Sequence, residues 1–255
     1  MRLNRYIAHN SKYSRREADK LIEEGRVKVN KTYIKDFSYR VQDGDRVFIN
    51  SKEIKPKLKH EVTMIVYNKP KGSLVTKKDD RGRTTIYHLL PGKFRHFIPV
   101  GRLDFASEGL LLLTDNTHYA TTLMNSKLPR VYNIKIDKIL TQEMIDAMQN
   151  GLVLEDATAG AHEKSDIKSM EFAPFAGFMV RSEGKNYTKL KVAITEGKNR
   201  ELRRFFGHFG AKILDLKRVS YGPFELNNLP ENKTRYLSAK EYEMLHKIVK
   251  EEEKK

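Results

Sequence analysis

No cysteine occurs in this sequence, which excludes a disulfide framework and cysteine-ligated zinc and fits a reducing compartment. No apolar run approaches the roughly 18 residues needed to cross a bilayer. The opening residues Met1-Arg2-Leu3-Asn4-Arg5 lack the apolar segment of a signal peptide. A soluble cytoplasmic protein without a membrane partner is therefore expected. The eight histidines are scattered, and no two stand at the i, i+4 spacing of a helical metal site. Gly197-Lys198 is not a phosphate loop, because Asn199 replaces the required Ser or Thr and Val192 stands where the first glycine belongs. A Gly-x-Ser-x-Gly elbow and a dinucleotide fingerprint are also missing. These absences together point to chemistry that uses no metal and no organic cofactor.

Acidic residues are in deficit. Lys and Arg total 49 against 33 Asp and Glu, a net charge of +16 over 255 residues. The first 60 residues hold 16 of the cations and only 8 of the acids, so half of the excess lies in under a quarter of the chain. Such a surface attracts polyanions at long range and predicts salt-sensitive nucleic-acid binding.

Along the chain, Leu3, Tyr6 and Ile7, then Ala18, Leu21 and Ile22, fall at i, i+3, i+4 and predict two short amphipathic helices. Ser14 and Glu17 have the spacing of a capping box. Gly25 ends the second helix, Val27 and Val29 begin a strand, and Asp43-Gly44 turns the chain into Val47-Phe48-Ile49. This small αα-β module is taken as residues 1–59, with the charged, proline-interrupted stretch Ser51–Lys59 as linker. A larger α+β domain follows over 60–250. Its predicted strands include Thr63–Tyr67, Leu110–Leu113, Tyr132–Ile136 and Leu190–Thr195, with helices after Thr117, after Thr141 and from Asn199 to Phe209. Residues 251–255 read as a frayed, charged tail.

Gly101-Arg102-Leu103-Asp104 carries the strongest chemical signal. It sets a base and an acid two residues apart, in a loop that leads into the apolar run Leu110–Leu113. Carboxylates are rarely placed beside a core unless paired or used, so Asp104 is the leading catalytic candidate. A second cluster, Lys198, Arg200, Arg203 and Arg204, opens a helix whose apolar stripe is Leu202, Phe205, Phe206 and Phe209. Cations at a helix start oppose the macrodipole unless anions lie nearby, so the cluster calls for a phosphate-rich ligand, a partner carboxylate, or both. Tyr132 shares a strand face with Ile134 and Ile136, and it serves either as core or as a stacking platform for a base.

The segment Gly101 to Thr114, with Gly-Arg-Leu-Asp followed by Ser107-Glu108-Gly109 and the leucine run, resembles the signature of ribosomal RNA pseudouridine synthases of the RsuA/RluB type. Tyr67-Asn68-Lys69-Pro70-Lys71-Gly72, Glu196 to Arg204 and Arg218 to Phe224 are similar to further segments of that family, in order, and residues 1–59 resemble its S-four-type RNA-binding domain. The resemblance implies a mostly antiparallel mixed-sheet catalytic domain with Asp104 as the catalytic aspartate, Tyr132 stacking on the target uracil, and Arg203 pairing with Asp104. It further implies Arg102 holding the flipped nucleotide, Leu202 in the apolar wall, and Lys198, Asn199 and Arg200 among the substrate contacts. Arg2, Arg5, Arg15, Arg16, Arg26 and Lys28 are expected to dock RNA. Glu201 stands where the family usually has glutamine, so an ion pair is expected there. The implied reaction converts one uridine to pseudouridine without cofactor, in ribosomal RNA or an assembling ribosomal subunit, by a monomer. The 23S RNA is favoured. The 16S RNA, or a noncatalytic RNA-binding role in ribosome assembly, is the alternative.

Overall fold

The computed structural model describes residues 1–11, 13–55, 62–163 and 165–254, which fall into two units, Met1–Glu61 and Val62–Lys255. In the first, helices α1 (Leu3–Asn10) and α2 (Arg15–Glu23) precede strands β1 (Val27–Val29), β2 (Thr32–Tyr33), β3 (Val47–Ile49) and β4 (Lys52–Ile54). The capping box forms: Glu17 N–H donates to Ser14 Oγ at 3.2 Å and Ser14 N–H donates to Glu17 Oε2 at 2.7 Å. Leu3, Ile7, Ala18, Leu21 and Ile22 pack on Val27, Val29, Val47 and Ile49, so the amphipathic faces close one small core. The sheet order is β2-β1-β3-β4. Part of the expected linker is thus strand: Lys52–Ile54 pairs with β3, and Ile54 is buried in the core. One inward apolar residue in a charged triplet suffices once a partner strand supplies the hydrogen bonds. The rest of that linker from Pro56 lies outside the described residues.

The second unit is built from β5 (Met64–Lys69), α3 (Ile86–Leu89), β6 (Ile98–Pro99), β7 (Glu108–Thr114), α4 (Thr117–Asn125), β8 (Arg130–Ile136), α5 (Gln142–Asn150), β9 (Leu152–Leu154) and β10 (Met170–Phe172). It continues through β11 (Gly177–Gly184), β12 (Tyr187–Ile194), α6 (Glu201–His208), β13 (Ile213–Tyr221), β14 (Phe224–Glu225), β15 (Thr234–Tyr236) and α7 (Ala239–Glu252). Its main sheet runs β11-β12-β8-β13-β7-β5-β15, with β14 and β6 attached at the side. The β7–β13 pair is parallel and the other pairs of this sheet are antiparallel.

The two halves of this sheet are covered differently. Strands β5 and β7 are sandwiched: Ile65, Tyr67, Leu111 and Leu113 join one core cluster, while Met64, Val66, Leu110 and Leu112 join another with Leu123 of α4 and Leu245 and Val249 of α7. This explains the uninterrupted apolar run, because a strand buried on both faces has no polar side to alternate with. Strands β8 and β12 alternate instead. Tyr132, Ile134, Ile136, Leu190, Val192 and Ile194 point into the first cluster, and Asn133, Lys135, Lys189 and Lys191 point away from it. Helix α7 carries Glu251 and Glu252, taking in two residues read as tail, because a Ser238–Glu241 capping box starts it and buried Leu245 and Val249 anchor it. Among the described residues no helix is long and apolar enough to cross a membrane.

Candidate active site

A pocket of about 510 Å³ opens on the Tyr132 side of the sheet, and Arg102, Leu103, Asp104, Tyr132, Leu202 and Arg203 are among its lining residues. Three stretches far apart in sequence meet here because β8 and β13 are hydrogen-bonded neighbours, β13 lies beside β7, and α6 packs its apolar side on the same core.

Asp104 sits in the loop between β6 and β7, and the loop is held from beneath. Lys69, fully buried at the end of β5, donates through Nζ to the carbonyls of Pro70 at 2.9 Å, Asp104 at 3.1 Å and Ser107 at 2.8 Å. Burial pushes this ammonium down to about 8, against the pull of Asp104 and Glu108. Ser107 N–H donates to Asp104 C=O at 3.0 Å, and Gly72 N–H to Phe105 C=O at 2.8 Å. The backbone is therefore fixed, while the Asp104 side chain stays 33% exposed. The carboxylate lies at the rim of the core and not inside it, so it remains within reach of a ligand.

Two guanidiniums address that carboxylate. Arg203 Nε and Arg200 Nη1 each lie 3.5 Å from Asp104 Oδ2, ion-pair distances too long for strong hydrogen bonds. Arg203 is oriented by donations to Ile213 C=O, Ala106 C=O and Ser107 Oγ, each at 3.2 Å. Arg200 caps α6 in the left-handed region, at φ +52°, and its Nε donates to Gly160 C=O at 2.8 Å. That turn brings it to the same oxygen as Arg203.

The remaining site residues divide. Tyr132, 7% exposed, and Leu202, 4% exposed, line the pocket, and Arg102 does so from an exposed position. Lys198 also borders it, but its ammonium is taken by Glu196 at 2.8 Å and by the Glu171 carbonyl. Asn199 is not brought to the pocket lining; its carbonyl and its side-chain oxygen accept from Arg204 at 3.1 and 3.3 Å. Arg204 itself is fully buried, bound also to Ile167 C=O at 3.1 Å, Ser165 Oγ at 2.6 Å and Ala157 C=O, so it ties α6 to the 157–167 loop and is not a phosphate ligand. In the first unit, Arg2, Arg5, Arg15 and Arg16 are exposed. Arg26 is engaged with Glu24 and Asn50, each at 2.9 Å, and Lys28 lies over the Phe48 ring at 5.1 Å.

Sequence reasoning missed three buried charges around this pocket. Lys69 is one; a lysine closing a strand that opens with Met64-Ile65-Val66-Tyr67 is its signal. Arg218, beside Tyr132 in register, donates through Nε to Leu110 C=O at 2.7 Å, and its buried Nη2 has no hydrogen-bond partner among the described residues. Arg130 ties Thr195 and Glu196 carbonyls, at 2.8 and 3.0 Å, to Tyr221 Oη at 3.0 Å. Glu201 departs from expectation: among the described residues it forms no ion pair within 4.0 Å, and it accepts the Lys198 N–H at 2.9 Å in a buried setting that pushes its carboxyl up to about 7. Its folded-state value lies above the ordinary 4.5, so the native state holds the proton more tightly and loses stability as pH rises from about 4.5 through about 7. Glu201→Gln should remove that slope and gain about 3 kcal/mol over the wild type at pH 8, with little difference at pH 4. Denaturant melts of both proteins at the two pH values would show it, and a gap independent of pH would rule out the carboxyl as its source.

Comparison with known proteins bears on what this pocket does. A family profile described as RNA pseudouridylate synthase matches residues 63–208, and one described as S4 domain matches residues 1–47. An uncharacterized RNA pseudouridine synthase of Helicobacter pylori is 52% identical over 246 residues, covering 96% of this chain and 94% of its own. The ribosomal large subunit pseudouridine synthase B of Bacillus subtilis is 30% identical, covering 97% and 96%. A crystal structure of a pseudouridylate synthase shares the fold with a TM-score of 0.61 at 23% identity, covering 96% of this chain and 99% of that one.

Proposed function

Because the chain belongs to the RNA pseudouridylate synthase family, a family of isomerases, we propose that it converts a specific uridine of large-subunit ribosomal RNA to pseudouridine, with Asp104 as the catalytic carboxylate. The observation that carries the assignment is the Asp104 carboxylate at the pocket rim, facing two guanidiniums at 3.5 Å. Both arginines approach Oδ2, which leaves Oδ1 to act on the ribose.

Reaching the glycosidic bond requires the nucleotide to leave its stack, at a cost of roughly a few kcal/mol. Tyr132 offers the uracil a stacking surface in exchange, worth about 1–3 kcal/mol, and Leu202, Leu216 and Ile194 supply apolar walls. Arg102, an exposed cation at the mouth, holds the backbone of the flipped nucleotide. The C1′–N1 bond breaks, either through attack of Asp104 on C1′ or after it removes a ribose proton. The base then turns and C5 bonds to C1′, as the Asp104–C1′ bond breaks in the first route or Asp104 returns the ribose proton in the second, and the proton lost from C5 is balanced by one gained at N1. Substrate and product are isomers, so the conversion consumes no co-reactant. The B. subtilis relative's name points to the large subunit, and the enzyme is proposed to act on that RNA as a monomer in the cytoplasm.

Pseudouridine mapping of both ribosomal RNAs from a deletion strain and its parent tests the reading: one 23S position should lose its modification. Loss confined to 16S RNA would move the target, and no loss in either would overturn it. The S4 unit is proposed to dock the RNA through exposed cations. Arg15→Gln with Arg16→Gln should lower the slope of log affinity against log salt by about 1.5, and filter binding at several salt concentrations would show whether it does.

A further inference from the structure

On the side of the main sheet away from the pocket, strands β11, β12, β8 and the first part of β13 present a face that belongs to no core cluster. Register places its residues in rows. Ser182, Lys189, Lys135 and Asp215 form one row, and Met179, Lys191, Asn133, Lys217 and Glu108 form the next. Same-face neighbours along a strand stand about 7 Å apart and those across strands about 5 Å, so the lysines form a closely spaced grid. Lys189 and Lys191 are exposed, and Lys135 and Lys217 are partly so. Lys71 joins them by pairing with Asp215. Among the described residues of these two rows, Asp215 and Glu108 are the carboxylates facing the five lysines; Glu183 of β11 shares a row with buried Thr188 and points to the other face.

This arrangement costs the sheet stability. Lys135 and Lys189 are directly opposed, and like charges across a strand pair are destabilising. The one carboxylate in their row is already taken by Lys71. Their ammonium groups crowd over a common ring, with Lys135 Nζ 4.6 Å and Lys189 Nζ 5.9 Å from the Tyr187 centroid. The half-exposed Met179 is the large apolar residue of these rows, so the face lacks the apolar centre of a protein interface. A solvent-facing sheet needs polar residues, but it does not need opposed cations. A polyanion that neutralises them at once relieves the repulsion.

We propose that this face is a second RNA surface, which grips the sugar-phosphate backbone of a ribosomal RNA segment other than the one delivering the target uridine. It rests on the reading of the chain as an enzyme of ribosomal RNA. Contacts of this kind fix orientation without reading sequence, and they separate a structured RNA from a short fragment bearing the same uridine.

The test uses full-length protein, a transcript of large-subunit ribosomal RNA, and binding titrations between 50 and 300 mM KCl, about the range over which phosphate contacts are lost. Lys135→Gln, Lys189→Gln and Lys191→Gln together should lower the salt slope by about 2–3 and weaken binding at 100 mM at least about tenfold. A control variant removes the same net charge from exposed positions of α7, as Lys240→Gln, Lys247→Gln and Lys250→Gln, and should change the slope by less than about 1. A triple variant whose slope stays within about 0.5 of wild type, or a control that falls equally, overturns the proposal. Wild-type protein that makes no pseudouridine, while the slope still falls on the lysine face alone, would overturn the proposed reaction and leave this surface standing.

Discussion

Asp104→Asn should abolish pseudouridine formation, by at least about 10³-fold, while RNA binding stays at the wild-type level or tightens slightly. The substitution keeps the shape of the side chain and leaves the Lys69 contacts to the loop carbonyls untouched. What it removes is the anion. Arg200 and Arg203 lose their shared counter-charge and become more available to phosphate, which is why affinity should not fall. Product formation followed by single-turnover assay, alongside filter binding of the same RNA, separates the two quantities. Residual activity within tenfold of wild type, or equal losses in rate and affinity, would remove Asp104 from the chemistry.

Gly109→Ala should be severely damaging to the second unit. Gly109 lies at φ +103°, and a Cβ there would stand 2.2 Å from the Arg218 carbonyl oxygen and 2.8 Å from its nitrogen, both backbone atoms that cannot rotate away. This is the point where β7 and β13 run parallel, Arg218 against Gly109. Backbone strain and overpacking together cost about 3–5 kcal/mol, and the melting temperature should fall by roughly 10 °C or more. Gly101 makes the comparison. It too has a left-handed φ, +74°, but nothing lies within 4 Å of its Cβ position, so Gly101→Ala should cost only about 1 kcal/mol. Equal melting temperatures for the two variants would discount the clash.

Local periodicity explains which elements were legible in the chain alone. The Ser14–Glu17 box, the alternation Tyr132, Ile134, Ile136 and the stripe Leu202, Phe205, Phe206 each sit within one or two turns or a single strand, and each forms. Strand β13 is harder to read because bulges near Asp215 and Val219 break its alternation twice. Strand β4 hides in charged residues, since only Ile54 is buried. The pocket shows the same division. Asp104, Tyr132 and Arg203 stand in recognisable motifs and are brought to one cavity. Arg200's share in the Asp104 pair depends on a left-handed turn that its residue type does not announce, and the diversion of Asn199 to Arg204 depends on Ala157, Ser165 and Ile167, which hold the Arg204 guanidinium from far upstream.

The three carbonyls gathered on Lys69 set different rules for length and for composition in the loop above them. Phe105 and Ala106 are exposed between the tethered positions 104 and 107, so their side chains are open to exchange. An inserted or deleted residue there would carry the 104 or 107 carbonyl off the ammonium and strand a buried charge. This stretch is therefore permissive to substitution and closed to indels, so the side chains of Phe105 and Ala106 can be exchanged without moving the acid beside them.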